Sequence, residues 1–204
     1  MQAATPARRR NSVATRIAIL ASARLAFVRA GYDGVGVREI AGGAGVTAMM
    51  VNRYFGSKEQ LFAEVVAHIM GAPGILTDEI VKRSPDLTTF GRDVTAALLA
   101  RTAPNAAPLD GFLVMLRSAS NTRAAAIWRE QIERHYQKKL SALLPGDAAP
   151  ARAALLLSLI AGVQLMRQII GLSALAAADP VSLAELLQRV LQLLVGAEDG
   201  ASGS

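Results

Sequence analysis

Between Val37 and Leu61 the chain reads VREIAGGAGVTAMMVNRYFGSKEQL, and the stretch admits little except short helices joined by a glycine-rich turn. Val37, Ile40 and Ala41 fall three and four apart, on one helical face, and Gly42, Gly43 and Gly45 follow to stop that helix. Val46 is apolar and suited to pinning the corner. Thr47 can cap the next helix by accepting from its free backbone N–H groups, and that helix runs through Tyr54 or Phe55. Ser57 with Gln60 three residues later is a capping box opening a third helix through Ala67. Two short helices joined at a steep angle by a tight turn are the layout of a helix-turn-helix, whose second helix enters the major groove of DNA by its N-terminal end. Ile40, Phe55, Leu61 and Phe62 read as the core of this small unit.

Spacing alone also suits a turn between amphipathic helices of an all-α enzyme, so the surroundings decide. A helix is expected over Thr15 to Arg29, with Ile17, Leu20, Ala21, Leu25 and Val28 at helical spacing and Gly31 as its C-cap. Residues 31–36, GYDGVG, link it tightly to the next helix. This order of helix, GY-containing turn, short helix, glycine turn, short helix and YF-x-SKE-x-L resembles the DNA-binding domain of the TetR family of bacterial transcriptional repressors. The resemblance covers about Arg16 to Val66. It implies an all-α fold of about nine helices, with a helix-turn-helix domain over 13–70 and a helical effector-binding and dimerisation domain over 71–197. These are flanked by a disordered basic arm over 1–12 and a flexible tail over 198–204.

The resemblance also assigns the base-reading face to the first turns of the second helix: Thr47, Ala48, Met49, Asn52 and Arg53. Asn52 can make a bidentate pair with adenine, Arg53 can reach guanine or phosphate, and Ala48 or Met49 can meet a thymine methyl. Arg38 matches a position from which tetracycline-responsive members read guanine, and it can equally bond a phosphate. Tyr54, Lys58 and the Thr47 hydroxyl suit phosphate oxygens, contacts that fix register without reading sequence. Many members carry an aromatic residue at the position of Asn52 and Leu at that of Val51, so no operator sequence carries over.

Charge agrees with this placement. Residues 1–70 hold nine Arg and Lys against four acids, whereas the rest of the chain is nearly balanced, so the basic excess falls where phosphates would be met. Arg8, Arg9 and Arg10 are suited to the minor groove or the backbone, or simply to solubility. The first dozen residues lack the apolar run of a signal peptide and the chain has no cysteine, so disulfides and thiol redox chemistry are excluded and the cytoplasm is the expected compartment.

Beyond residue 70 the chain shows aliphatic residues at helical spacing punctuated by Pro and Gly, which predicts helices at about 87–102, 109–120, 122–144, 150–172 and 180–196. Asp179 caps the last of these, with Pro180 in its first turn. Between Arg152 and Arg167 lie fourteen uncharged residues, short of the roughly twenty a membrane span requires. That helix is expected to be apolar all round and buried on several sides. The resemblance implies that the last two helices pair with a second copy, and Leu159, Gly162, Met166, Leu183, Leu187, Val190 and Leu194 are the expected homodimer interface. Two recognition helices one DNA turn apart would then read a palindromic operator. Phe112, Met115, Leu116, Trp128, Ile132, Tyr136, Gln164 and Arg167 are the candidate pocket for a small-molecule effector, mostly apolar with a few polar groups.

Enzyme chemistry has little footing. His68 and His135 are the only histidines, His68 reading as the end of the third helix and His135 as a surface group, and no metalloprotease, nucleophile-elbow, P-loop or dinucleotide motif is present. No catalytic residue, cofactor or metal site is expected. Two other readings stay open: a helical small-molecule carrier with an incidental basic N-terminus, and an architectural protein that binds every duplex alike.

Overall fold

The computed structural model describes residues 6–72, 74–83, 86–103 and 105–196. Every regular element among the described residues is helical, the all-α class that the sequence implies. The chain divides into two compact units, one of Met1–Ala72 with Asp110–Gln131 and one of Pro73–Leu109 with Ile132–Ser204. Residues 110–131, expected as part of a contiguous C-terminal domain over 71–197, thus group with the N-terminal helices.

The first unit holds α1 (Pro6–Ala30), α2 (Val37–Gly43), α3 (Ala48–Phe55), α4 (Lys58–Met70), α7 (Asp110–Ser118) and most of α8 (Thr122–Ile132). Residues 6–12, expected as a disordered arm, form the first turns of α1, a start that Pro6 permits because its missing N–H would be unpaired there anyway. Residues 1–5 of that arm and the tail over 198–204 lie outside the described residues.

Helix α1 also turns a different face inward from the one its pattern predicts. Ile19, Ala23, Ala26 and Phe27 are buried, whereas Ile17 and Leu25 are 62% and 69% exposed. Two overlapping stripes satisfy the helical period, and the aromatic residues choose between them. Phe27 packs edge-on against Phe62 at 5.0 Å, and Tyr32 against the same ring at 4.9 Å, so the face carrying Phe27 must point inward.

At the corner between α2 and α3, Gly42 and Gly43 belong to α2, and the turn is made by Gly45 at φ 66°. Val46 N–H then donates to Ala41 O at 3.0 Å, closing the corner. The segment 110–121 is stitched on by polar bonds. Arg24 pairs with Asp110 at 2.9 Å, the Tyr32 N–H donates to Ser118 Oγ at 3.0 Å, and Asn121 Nδ2 donates to Asp33 Oδ1 at 2.8 Å. Arg117 donates to the Val28 carbonyl. The chain passes here so close to Gly31, itself at φ 67°, that a Cβ there would lie 2.3 Å from Arg117 O.

The second unit holds α5 (Asp78–Arg83), α6 (Leu87–Arg101), a π-helical turn (Glu133–Gln137) leading into α9 (Lys138–Leu143), α10 (Ala149–Gln164) with a π-helical turn at its end (Leu165–Ile169), α11 (Ser173–Ala176) and α12 (Pro180–Val195). The five helices expected beyond residue 70, which fall in both units, appear within a few residues of their expected bounds, those over 122–144 and 150–172 each with a π-helical turn. Helices α5 and α11, of six and four residues, are too short to show a period. Phe90, Val94 and Leu98 of α6 join Leu183, Leu187, Leu191 and Val195 of α12 in an aliphatic core with Leu156, Ile160 and Val163 of α10.

Helix α10 and its π turn form a 21-residue run, Ala149–Ile169, apolar and long enough by composition to cross a membrane, though less than half of it is buried within the protomer. Its expected all-round burial is therefore corrected: one face enters the core while Leu155 is 55% and Met166 41% exposed. The arginines near its ends both turn inward, Arg152 donating to Gly196 O and Arg167 to Leu99 O.

Candidate nucleic-acid interface

Helix α3 forms because Thr47 caps it. In extended backbone, the Thr47 hydroxyl accepts from the Met50 N–H at 3.4 Å, a cap whose loss costs about 1 kcal/mol. Ser57 caps α4 in the same way, accepting from Gln60 N–H at 3.1 Å. Phe55 anchors α3 in the core with Ile40, Leu61 and Phe62, all buried as the pattern predicts, and Val51, not singled out by that pattern, is buried with them.

Anchoring that face presents the opposite one. Met49 is 80% exposed, so its thioether side chain stands open on that face. Asn52 and Arg53, three and four residues on, are exposed beside it, as are Thr47 and, on α2, Arg38, while Ala48 is partly exposed. Several basic residues of the unit are meanwhile committed internally. Arg16 pairs with Glu64, Arg29 with Glu39 and Arg24 with Asp110, and the Arg16 guanidinium also lies 4.9 Å from the centre of the Phe55 ring. Those pairs hold α1 to its neighbours.

The two residues assigned to phosphate have internal contacts as well. Tyr54 Oη donates to Ser12 Oγ at 3.2 Å, and Lys58 Nζ lies 4.4 Å from the centre of the Tyr32 ring. Both side chains are partly exposed. The Tyr32 hydroxyl, chiefly through burial, is held above its ordinary pKa and stays protonated.

The family model described as bacterial regulatory proteins, tetR family, matches residues 19–65, and the model described as tetracyclin repressor-like, C-terminal domain, matches residues 88–195, more than half of the chain. The chain belongs to the TetR family of bacterial regulatory proteins. Its members are non-enzymatic DNA-binding transcriptional regulators. A TetR-family regulator from Streptomyces coelicolor is similar at 26% identity, covering 91% of this chain and 96% of that one with a TM-score of 0.57. The fatty acid degradation regulator FadR from Bacillus halodurans shares the fold at 17% identity, with 97% and 99% coverage and a TM-score of 0.60. RolR, solved with its ligand resorcinol, shares it at 17% identity, with 93% and 91% coverage and a TM-score of 0.56. No curated protein matches the chain.

Within this TetR-family chain the expected pocket residues fall in both units. Phe112, Met115, Leu116 and Trp128 belong to the first, where Phe112 and Trp128 are buried and Leu116 is 38% exposed. Ile132, Tyr136, Gln164 and Arg167 belong to the second, where Gln164 and Arg167 are buried. The expected dimer residues need one correction. Leu183 and Leu187 are only 6% and 7% exposed because they pack on α6 in their own protomer, so they offer almost no surface to a second copy. Val190 and Met166 are exposed, and Leu159, Gly162 and Leu194 are partly so. Leu186, which the pattern places in the apolar stripe of the last helix, and Leu155 and Leu193, which it does not single out, are 60%, 55% and 82% exposed. The stripe of leucines along α12 is two stripes, and only the one opposite the core is open.

Proposed function

We propose that this regulator is a homodimeric one-component repressor that holds a palindromic operator until a small hydrophobic or aromatic ligand enters its helical effector domain. The exposed Met49–Asn52–Arg53 face of a capped, core-anchored α3 is the observation that carries the reading. Asn52 and Arg53 read base edges with Arg38, Ala48 and Met49, while Thr47, Tyr54 and Lys58 hold phosphates. The open apolar residues of α10 and α12, with Leu155, Leu186 and Leu193 taking the place of Leu183 and Leu187, favour a second copy as the partner. RolR's resorcinol is a precedent for a small aromatic ligand in this fold. Ligand binding would favour a dimer whose recognition helices are spaced wrongly for successive major grooves, with the connection Glu64 to Ala72 as the mechanical link. The cytoplasm is the compartment that suits such a protein.

Selection of binding sites from random duplexes is the test. A palindrome with half-sites about one helical turn apart is expected. Asn52→Ala should weaken the selected duplex by about 1–3 kcal/mol while leaving a scrambled duplex nearly unchanged. Equal loss on both duplexes would remove Asn52 from base reading. Equal affinity of the native protein for all duplexes would make it an architectural binder, and no affinity even at low salt would make it a carrier.

A further inference from the structure

Gln164 ends α10, and Arg167 and Gln168 follow three and four positions on, within the π turn Leu165–Ile169. Arg167 Nη1 donates to Thr102 Oγ1 at 3.0 Å and to Leu99 O at 3.3 Å, both at the end of α6. Gln168 Nε2 donates to Arg101 O at 2.9 Å and to Ala106 O at 3.2 Å. Arg167 is 8% and Gln164 5% exposed, yet Arg167 Nε and Gln164 Nε2 are buried donors without an acceptor among the described residues. A guanidinium cannot shed its charge. Its acceptors here are a carbonyl and a hydroxyl, both neutral, and the end of α6 supplies only the partial charge of a helix terminus.

We propose that Arg167 and Gln164 form an anion subsite of the second unit, and that the effector is a small organic acid whose carboxylate is held there. The proposal rests on the effector reading above and adds the chemical class of the ligand. Two donors on different side chains suit the two oxygens of one carboxylate, and the negative charge supplies the counter-ion that a neutral carbonyl ligand would not. Gln168 Oε1, also buried and without a partner, adds an acceptor for a hydroxyl or N–H on the same ligand. Arg152 supplies the comparison. It too is buried with an orphaned Nε while it caps the end of α12, but no second orphaned donor on α10 lies within a turn of it, so it has the character of a cap alone.

The test is ligand-observed NMR titration of the full-length protein with octanoate, benzoate and salicylate, each beside its neutral amide. At least one acid is expected to bind about tenfold or more tightly than its amide, and Arg167→Gln and Gln164→Met are each expected to weaken that acid by about the same factor without changing the amide. Gln164→Met keeps the bonds of Arg167 to α6, so its melting temperature should be unchanged, and it decides the matter if Arg167→Gln fails to fold. Absence of acid binding, amides that bind as well as acids, or acid affinity untouched by Gln164→Met would overturn the subsite. The same ligands are then added to the complex with the selected duplex. A neutral ligand that releases DNA, with no acid bound, overturns the subsite and keeps the effector reading. An acid that binds through Arg167 and leaves DNA affinity unchanged keeps the subsite and overturns the effector reading.

Discussion

The unit of α1–α4, α7 and α8 and the unit of α5, α6 and α9–α12 hold distant parts of the chain together by the same two means in different proportion. In the first, a small core around Phe27, Tyr32 and Phe62 is supplemented by directional bonds: Arg24 to Asp110, Tyr32 N–H to Ser118 and Asn121 to Asp33 join residues more than eighty positions apart. In the second, α6 and α12 close over each other mainly through aliphatic side chains, with Phe90 the one aromatic ring among the described buried residues of that core, and the bonds of Arg167 and Gln168 to the end of α6 and of Gln192 to Thr88 add to a larger apolar contact. Directional bonds fix which atoms meet, which suits the proposed presentation of Asn52 and Arg53 at set positions. Apolar burial is roughly proportional to area and indifferent to direction, so it tolerates small shifts between helices. The difference teaches that the unit proposed to read DNA is the more directionally fixed of the two, and the unit proposed to respond to a ligand the more reliant on apolar burial.

The sharpest way to break the contrast lies on α12. Leu191 is fully buried and Leu193, two residues on, is 82% exposed. Leu191→Ala should cost about 2–5 kcal/mol through lost burial and the cavity left behind, measured as the fall in the denaturant midpoint. Leu193→Ala should change protomer stability by no more than about 0.5 kcal/mol while weakening self-association, read by sedentimetric or light-scattering mass against concentration. Equal effects of the two on stability would mean that the inward face of α12 has been misassigned.

In the first unit the sensitive point is backbone approach. Gly31→Ala must place a methyl where Arg117 O already lies, at a residue with positive φ, and a cost of about 1–3 kcal/mol is expected from strain and displacement of α7. Gly45→Ala shares the positive φ but meets nothing within 4 Å, so its cost should be the backbone term alone, about 1 kcal/mol. Thermal unfolding of the two variants checks the difference. If they lose the same stability, the close passage of α7 beside Gly31 contributes nothing.

What the sequence made legible follows the range of the interactions involved. Caps are local, and Thr47, Ser57 and Asp179 each accept the N–H three residues on, as the pattern predicts. The helix-turn-helix residues were legible for the same reason, because turn chemistry and a short apolar period lie within about twenty-five positions. The inward face of α1 was not, because Ile17–Leu25 and Ile19–Phe27 are equally periodic and the rings of Tyr32 and Phe62 decide between them. Nor was the grouping of 110–131 with the N-terminal helices, which depends on bonds between residues distant in sequence. The same limit applied to α12, where burial of Leu183 and Leu187 depends on the position of α6.

The smallest expected effect separates the two units by pH. Helices α3 and α4 are capped by hydroxyls, whereas α6 and α12 are capped by carboxylates: Asp86 accepts from Thr89 N–H at 2.7 Å and Asp179 from Ser182 N–H at 2.8 Å. Those backbone N–H bonds are the main reason that both carboxyls titrate below their ordinary value. A carboxylate with a lowered folded pKa contributes stability that is present above its unfolded value, about pH 4, and is lost as pH falls through the lower folded value. The starts of α6 and α12 should therefore loosen on acidification below the ordinary carboxylate range, while those of α3 and α4 keep their caps. Amide NMR shifts of Thr89 and Ser182 should titrate in that window and those of Met50 and Gln60 should not. Asp86→Asn with Asp179→Asn, which retains a neutral capping oxygen, should abolish the response. Persistence of the titration in that double variant would assign it to other carboxylates and leave the two units alike in their response to acid.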